Sequence, residues 1–523
     1  AGVRRALSAS AKSRAARKKK ARMLEALYTG TSDHYLAVNK DTVHWGYFSK
    51  LLPPQLTIAS GDTVVVEMAS HHACDDYDKM VKGDAGMESV FEWSSSVKGV
   101  SRRGATGTGD GVHVLTGPIY VEGAEPGDIL SVEIVDLAPR PNAEGRTFGS
   151  NAAAWWGYQA RSDKVGGTPH TPCTPRRPWH LSLTHPLTHS LLVGWTWQVD
   201  GTPFTAGGFT GHSTNDEVVT IYELFEENGE AYATLSYQFA WPTITDPNGV
   251  ERDYIQYPGT CVPHDYAGFS DAVSGMGWTK AGPMSYITDP YPAKIPVNMH
   301  VGCMGLAPAS HDSVDSIPPM PTGGNLDDKR IGKGTTMYYP VEVAGALLSM
   351  GDAHMAQGDS ELDGTGIETS ITGTFKITLI KAAPSFPQPW MAVLDFPLGS
   401  TAKEFVVHGF TETDYLEKYK DRPGDIYSNS SIDKAMANTY TQTRKFVMAA
   451  YGLTEPEANT IITQGVDFGM TQLVDGNWGV HAIIPKAIFD TGRRRALSSA
   501  KPRRSLAAAK QLHKQLAHAK STA

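Results

Sequence analysis

From Leu56 to Ile134 the chain runs in short stretches where apolar and β-branched residues alternate with polar ones, interrupted by Gly-Asp pairs. Leu56 to Glu67 (LTIASGDTVVVE) spells a strand, a turn and a second strand, because period-two alternation bounded by turn residues suits a half-buried strand. Ile119 to Ile134 (IYVEGAEPGDILSVEI) repeats that grammar, and Met337 to Asp352 (MYYPVEVAGALLSMGD) echoes it. An internal duplication is the expectation, although three independent hairpins would use Gly61-Asp62, Gly127-Asp128 and Gly351-Asp352 equally well as turns. Helices come late. Ser431 to Tyr451 contains neither Pro nor Gly and carries Ala, Met and Phe at helical intervals. Thr454-Glu-Pro-Glu457 is a capping box with Pro in the first turn, and it opens a second helix to about Gln464. Strands are expected again over Met470–Val474 and Val480–Ile484, and an exposed helix over Ala496–Lys520.

Residues 161–200 follow neither period. They mix Pro, His, Ser and Thr, and a structureless stretch of this length reads as an irregular, peripheral insertion. The chain therefore divides into a basic arm over 1–30, a β-rich part over 31–160, that insertion, a β-rich and α/β part over 201–490 that holds the polar motifs, and a second basic arm over 491–523.

Charge sharpens this division. Residues 1–24 hold nine Lys or Arg and no acid, and residues 491–523 hold nine more and again no acid. The rest carries 29 bases against 55 acids, a net of −26 beneath the formal −8. An acidic body argues against nucleic acid as the main substrate and suits a hard cation or a neutral substrate. No apolar run approaches the 18 or so residues of a membrane span, so no membrane partner is expected. The four cysteines form no C-x-x-C pair and are too few for a disulfide scaffold, which fits a reducing compartment. A cytoplasmic location follows, or a plastid or mitochondrion if the Arg/Ala/Ser-rich first arm is a transit peptide.

The densest polar constellation runs from Gly323 to Glu368. Asp352 and His354 stand two apart, which on a strand places them on one face, and a carboxylate beside an imidazole suits a metal ion or an acid–base pair. Asp359 and Glu361 repeat the two-residue step. A second cluster holds His113 in Gly111 to Pro118, where a lone His between valines reads first as structural. A third, His71-His-Ala-Cys-Asp-Asp-Tyr-Asp78, looks like a metal site but ranks below the other two, since such residues also crowd solvated loops. There is no Gly-x-Ser-x-Gly elbow, no H-E-x-x-H and no phosphate loop ending in Gly-Lys-Ser/Thr. Cys303, in the Gly302–Gly305 segment, is the rival nucleophile, with only His300 near it in sequence.

Several phrases together resemble the acetamidase/formamidase family, and its acetamidase-like branch in particular. They are Thr42 to Phe48 (TVHWGYF), Ser60 to Val64 (SGDTV), His113 to Leu130 (HVLTGPIYVEGAEPGDIL), Gly145 to Gly157 (GRTFGSNAAAWWG), Gly302 to Pro308 (GCMGLAP), Gly323 to Asp327 (GGNLD) and Gly351 to Glu361 (GDAHMAQGDSE), in the family's order over about 34–490. The resemblance implies a mainly β fold with a smaller α/β portion, built of β-sandwich and barrel-like parts and assembled as a homo-oligomer. It implies hydrolysis of a small linear amide such as formamide or acetamide, assisted by a divalent metal, with zinc first in expectation. The family's polar positions fall on His113, Asn325, Asp327, Asp352, His354, Glu361 and Glu368. On this reading Asp327, Asp352 and His354 hold the metal, Glu361 or Glu368 moves the proton, His113 orients the substrate or adds a ligand, and Asn325 binds the substrate. Two departures stand out. Residues 161–200 interrupt the passage from Trp-Trp-Gly to Gly201, and the family's Gly-Asp-Gly-Glu is here Gly358-Asp-Ser-Glu361, where a serine at positive φ would be strained. The alternative is a non-catalytic family member that acts as a binding or scaffold protein.

Overall fold

Alternating burial along the strands builds two sheets that share one core. In Thr336–Pro340 the even-numbered side chains are half-buried and the odd ones buried, and the buried face meets the opposite sheet. The computed structural model describes residues 32–91, 111–153, 218–240, 244–245, 251–252, 279–280, 285–287, 293–382 and 384–490. Both basic arms, the 161–200 segment and the expected Ala496–Lys520 helix lie outside these residues.

The larger sheet has nine strands, in the order His34–Leu36, Thr63–Met68, Ile371–Ile380, Ile129–Pro139, Thr336–Pro340, Leu398–Ser400, Glu404–Phe410, Gly479–Pro485 and Asp467–Gln472. The second runs Gly323–Asn325, His300–Leu306, Leu348–His354, Val114–Val121 and Val43–Trp45, with Leu56–Ile58 also paired to Val114–Val121. Val64, Val66, Leu130, Val132, Phe375 and Ile377 of the first pack in one apolar core with Ile119, Val301, Met304, Leu306, Leu348 and Met350 of the second. The fold is mainly β, as the sequence pattern predicts.

Helix Ile432–Tyr451 starts at Ser431, whose side chain accepts from the Lys434 N–H, and ends at left-handed Gly452. The next helix, Glu455–Gly465, carries the full Thr454/Glu457 capping box. Phe446, Val447, Ala458 and Ile462 cover Leu398, Val407, Ala482 and Ile484 on the outer face of the nine-stranded sheet. Among the described residues no helix is long and apolar enough to cross a membrane.

Three expectations need correction. Gly61-Asp62 and Gly127-Asp128 do sit in turns that lead from the second sheet into the first. Gly351-Asp352 instead lies inside strand Leu348–His354, so the three-part echo reduces to two. The last strands begin earlier than expected, at Asp467 and Gly479, because they pair with each other, and Gly479–Pro485 also pairs with Glu404–Phe410. Cys74 is disulfide-bonded, where the cysteine count was read as fitting a reducing compartment and no disulfide scaffold.

Phe375 is fully buried between the sheets. Phe375→Ala should lower the unfolding free energy by about 3–5 kcal/mol through lost transfer energy and a residual cavity. Chemical denaturation checks this, and a change below about 1 kcal/mol would mean that the two sheets do not share this core.

Candidate active site

The polar site gathers at one end of the second sheet. Antiparallel pairing sets His300 opposite His354, and Cys303 opposite both Gly351 and Asn325. His113 immediately precedes strand Val114–Val121, which pairs with Leu348–His354. Glu368 is brought in by an isolated bridge to His354. His71 comes from the other sheet, in the short helical turn His71–Asp76 that follows strand Thr63–Met68.

Asp352 is the hub. Its Oδ1 lies 3.3 Å from His71 Nδ1, and its Oδ2 lies 3.6 Å from His113 Nε2 and 3.5 Å from His354 Nε2. His354 Nε2 also faces Glu368 Oε1 at 3.2 Å and Asp327 Oδ1 at 3.8 Å. Asp327, Glu361 and Asp475 interact through their carboxyls. The expected residues His113, Asp327, Asp352, His354, Glu361 and Glu368 are thus one buried cluster. Asn325 is buried with its Oδ1 unpartnered, two residues before Asp327.

The backbone bends to achieve this. Among the described residues seven non-glycine residues have positive φ, and three of them are Asp327 (46°), Asp352 (52°) and Glu361 (47°). Such conformations cost of order 1–3 kcal/mol each and persist where the surroundings over-determine them. Ser360, at φ 83°, does adopt the strained geometry anticipated for a serine in that turn. Its N–H donates to Thr471 O, and its carbonyl accepts from Leu473 N–H, so strand Asp467–Gln472 and its flank clamp the turn. Because residues 360 and 361 leave extended geometry, Asp359 and Glu361 do not share a face: Asp359 is exposed and pairs with Arg330, while Glu361 is buried.

A second ring of contacts aims the cluster. Gln357 Nε2 donates to Asp327 O at 2.7 Å, so its Oε1 is free to accept from His354 Nδ1–H at 2.7 Å. That bond leaves His354 Nε2 pointing among the carboxylates. His300 supports the arrangement, with Nδ1 2.7 Å from Asn298 O and Nε2 3.1 Å from His354 Nδ1. Ser316 Oγ holds His113 Nδ1 at 2.7 Å. Arg330 ties Asp328, next to Asp327, to Asp359, two residues before Glu361.

The electrostatics follow from burial. Burial and the neighbouring Asp352 push Asp327 up to about 6. Burial raises Glu368 to about 7, against the pull of His354. Glu361 and Asp475 are driven well above the usual carboxyl range by burial and by Asp327. Burial would raise Asp352 too, but His113 and His354 hold it well below the usual range. Burial opposes a charged His354, yet Glu368 and Asp352 keep it well above the usual imidazole value. His71 is lowered to about 3 by burial and His72. Burial, with Asp352 and Asp327 nearby, pushes the Cys303 thiol well up, which removes the thiolate a cysteine nucleophile needs.

The residues fit a divalent cation on three counts. Buried atoms without hydrogen-bond partners converge here: His71 Nδ1, Asp327 Oδ1, Asp352 Oδ1, His354 Nε2, Glu361 Oε2 and Glu368 Oε2. The ligand atoms of His71/His113/Asp352, of Asp327/His354/Glu361 and of Asp352/His354/Glu368 lie within 4.8 Å of one another in each set. A Cβ added at Gly302 would stand 2.5 Å from Asp327 Oδ1 and 2.7 Å from Asp352 Oδ2, so only glycine leaves the cradle open. Imidazole and carboxylate donors suit zinc and its first-row neighbours.

Two ranks change. His71, placed third by sequence, contacts the hub. Asp475 was missed altogether, because Asp475-Gly-Asn477 reads as an ordinary turn.

Comparison with known proteins agrees in kind. A sequence model of the Acetamidase/Formamidase family matches residues 106–187 and 294–491. The chain is similar to an acetamidase from Mycolicibacterium smegmatis, at 30% identity over 259 residues that make up 49% of this chain and 50% of that protein. It is also similar to a formamidase from Methylophilus methylotrophus, at 27% identity over 275 residues, 52% of each. The chain thus spans about half the length of the curated relatives it matches. Its fold is similar to that of a recombinant predicted acetamidase/formamidase from the thermophile Thermoanaerobacter tengcongensis, with TM-score 0.50 and 17% identity over 88% of this chain and 98% of the other. An acetamidase from Yersinia enterocolitica gives TM-score 0.50 and 19% identity over 87% and 92%.

Glu368 generates a signed pH prediction. Its folded pKa is raised to about 7, so the folded chain keeps a proton that an unfolded glutamate loses near pH 4.3. This contributes stability that is complete below the unfolded value and is lost as pH rises through 7. In the presence of a chelator, Glu368→Gln should therefore lose less unfolding free energy than wild type between pH 5 and 8, by on the order of 2 kcal/mol. Denaturant titrations at both pH values measure this, and parallel losses would refute a proton held at Glu368.

Proposed function

The chain belongs to the acetamidase/formamidase family, and from that premise we propose that it hydrolyses the C–N bond of a small linear amide, giving a carboxylate and ammonia. The observation that carries the proposal is the buried cluster of Asp327, Asp352, His354, Glu361 and Glu368, whose unpartnered atoms face one another. Amide hydrolysis needs a polarised carbonyl, an activated water and a proton for the departing amine. Asp327, Asp352 and His354 are the residues that would hold a divalent cation, zinc first in expectation, and such an ion supplies carbonyl polarisation and acidifies water.

The chain's own residues do the rest. Glu368, poised near 7, takes the proton from water and returns it to the amine nitrogen, since a shuttle works best with a pKa near the working pH. Its Oε1 accepts from Gly366 N–H, which leaves Oε2 for that traffic. Glu361, held protonated, donates a hydrogen bond rather than accepting a proton. His113, neutral through burial and fixed by Ser316, orients the substrate from the far side of Asp352, and Asn325 offers its amide group. A site this enclosed, with His354 fully buried and Asp352 and Glu368 each 2% exposed, suits a small neutral substrate such as formamide or acetamide. The complete set of carboxylates supports an enzyme over a scaffold protein. A homo-oligomer, implied by the family resemblance, remains part of this proposal.

Asp352→Asn and His354→Ala should each cut ammonia release from acetamide and formamide by more than the 10²–10⁴-fold or so that a missing acid or base costs, with the fold retained by circular dichroism. A chelator should mimic them, and an added divalent ion should rescue wild type alone. Full activity in the double variant would reject the site while leaving the family membership intact.

A further inference from the structure

We propose that Asn151 is a positioning residue for the reaction: it clamps the peptide unit that holds the Glu368 carboxyl, and so sets which way the oxygen left for proton transfer faces. This rests on the reading of Glu368 as the proton shuttle. Glu361 and Glu368 stand at the two ends of one short loop, residues 361–368 (ELDGTGIE). That loop cannot stiffen itself. Gly364 sits at φ 105°, and a Cβ at Gly366 would lie 2.9 Å from His354 Nδ1, so a side chain at either place would be strained or crowd the His354 ring. Paired glycines leave the backbone many alternatives, and a contact from outside the loop must select one.

Asn151 makes that contact. It lies on Phe148–Ala153, the end strand of a five-stranded sheet. Its Nδ2 is 2.9 Å from Thr365 Oγ1, 3.1 Å from Thr365 O, and 3.3 Å from both Gly366 O and Asp363 Oδ1. Backbone carbonyls only accept, so the NH2 of the amide and not its oxygen must face them. The adjoining main chain adds to the grip. Ala152 N–H donates to Thr365 Oγ1 at 2.9 Å, and Ser150 and Glu368 exchange both of their backbone hydrogen bonds. The peptide between Thr365 and Gly366 then carries the effect to Glu368. In a planar trans peptide the C=O and N–H point opposite ways. Thr365 O faces Asn151, so the Gly366 N–H of the same unit faces away from it and donates to Glu368 Oε1 at 3.0 Å. With Oε1 engaged, Oε2 is the buried oxygen that has no hydrogen-bond partner. Removing the Asn151 amide frees this peptide to rotate, and the Glu368 carboxyl loses the donor that orients it.

A double-mutant cycle in the full-length chain tests this, with ammonia release from formamide and acetamide as the rate. Asn151→Ala and the nearly isosteric Asn151→Asp, which lacks the donors, should each lower kcat by roughly 10–100-fold at a KM within about threefold of wild type, because a misplaced shuttle loses most of its contribution. In the Glu368→Gln background the same substitutions should cost less than about threefold more, since residues that act through one group are not additive. Losses that multiply in the two backgrounds mean a merely structural role and overturn the inference. Hydrogen exchange supplies a readout independent of activity. Residues 362–368 should lose protection in both Asn151 variants while strand His300–Leu306 keeps its own, and unchanged protection of the loop also overturns the inference. Glu368→Gln at wild-type kcat overturns the shuttle reading and the role of Asn151 with it. An impaired Glu368→Gln beside an unimpaired Asn151→Ala overturns the role of Asn151 alone.

Discussion

Five carboxyl groups, on Asp327, Asp352, Glu361, Glu368 and Asp475, are buried together around one imidazole. Among the described residues no lysine or arginine is ion-paired to any of them. At contact distances a pair of like charges repels by several kcal/mol even at an effective dielectric constant near 20. Without a cation, the chain answers by keeping protons on Glu361 and Asp475, by raising Asp327 to about 6 and Glu368 to about 7, and by charging His354. Only Asp352, flanked by three histidines, stays firmly ionised. A divalent ion held there would offset the same repulsion with its own charge, and its uptake would displace protons from whichever of these carboxyls it binds.

Such a cluster survives only if its scaffold cannot relax away from it. The two flanking strands provide a rigid platform, since His300 and His354 are locked opposite each other in the antiparallel register. The turns that carry Asp327 and Glu361 are then tied together from outside, by Arg330 spanning Asp328 and Asp359 and by Gln357 bonding to the Asp327 carbonyl. His408 completes the support by meeting Asp328 Oδ2 at 3.0 Å. These contacts hold the left-handed backbone at Asp327 and Glu361 in place, where local preference alone would release it.

How much of this could be read from sequence depends on where the backbone stays regular. The strand alternation, the Ser431 cap and the Thr454 capping box were legible because each is a local signal that the tertiary structure reinforces. Five of the cluster's residues were legible because Asp327, Asp352, His354, Glu361 and Glu368 lie in one short, Gly-rich segment that also matches a family phrase. His71 was undervalued because it reaches the hub from the other sheet, some 280 residues away in sequence, and no local period reports that. Asp475 was invisible for the same reason. The two-residue step at Asp359 and Glu361 misled because it assumes extended backbone, and Ser360 and Glu361 abandon it. For Asp352 and His354 the step named the right neighbours, yet Asp352 too is left-handed, so their meeting is not simple strand geometry.

The site draws its donors from both sheets that share the core. His71 follows a strand of the nine-stranded sheet, His113 leads into a strand of the second sheet, which also carries His354, and Asp475 lies in the turn between the last two strands. The shared core of Val64, Leu130, Phe375, Met304 and Met350 therefore does more than stabilise a sandwich, because it fixes the distance between donors carried by different sheets. A slip of the sheets by one or two ångströms would separate His71 from Asp352 while leaving each strand intact. The apolar core and the polar cluster are in this sense one device. Close packing supplies the rigidity that holds like charges together, and the carboxylates spend part of that stability on a site able to take up a cation.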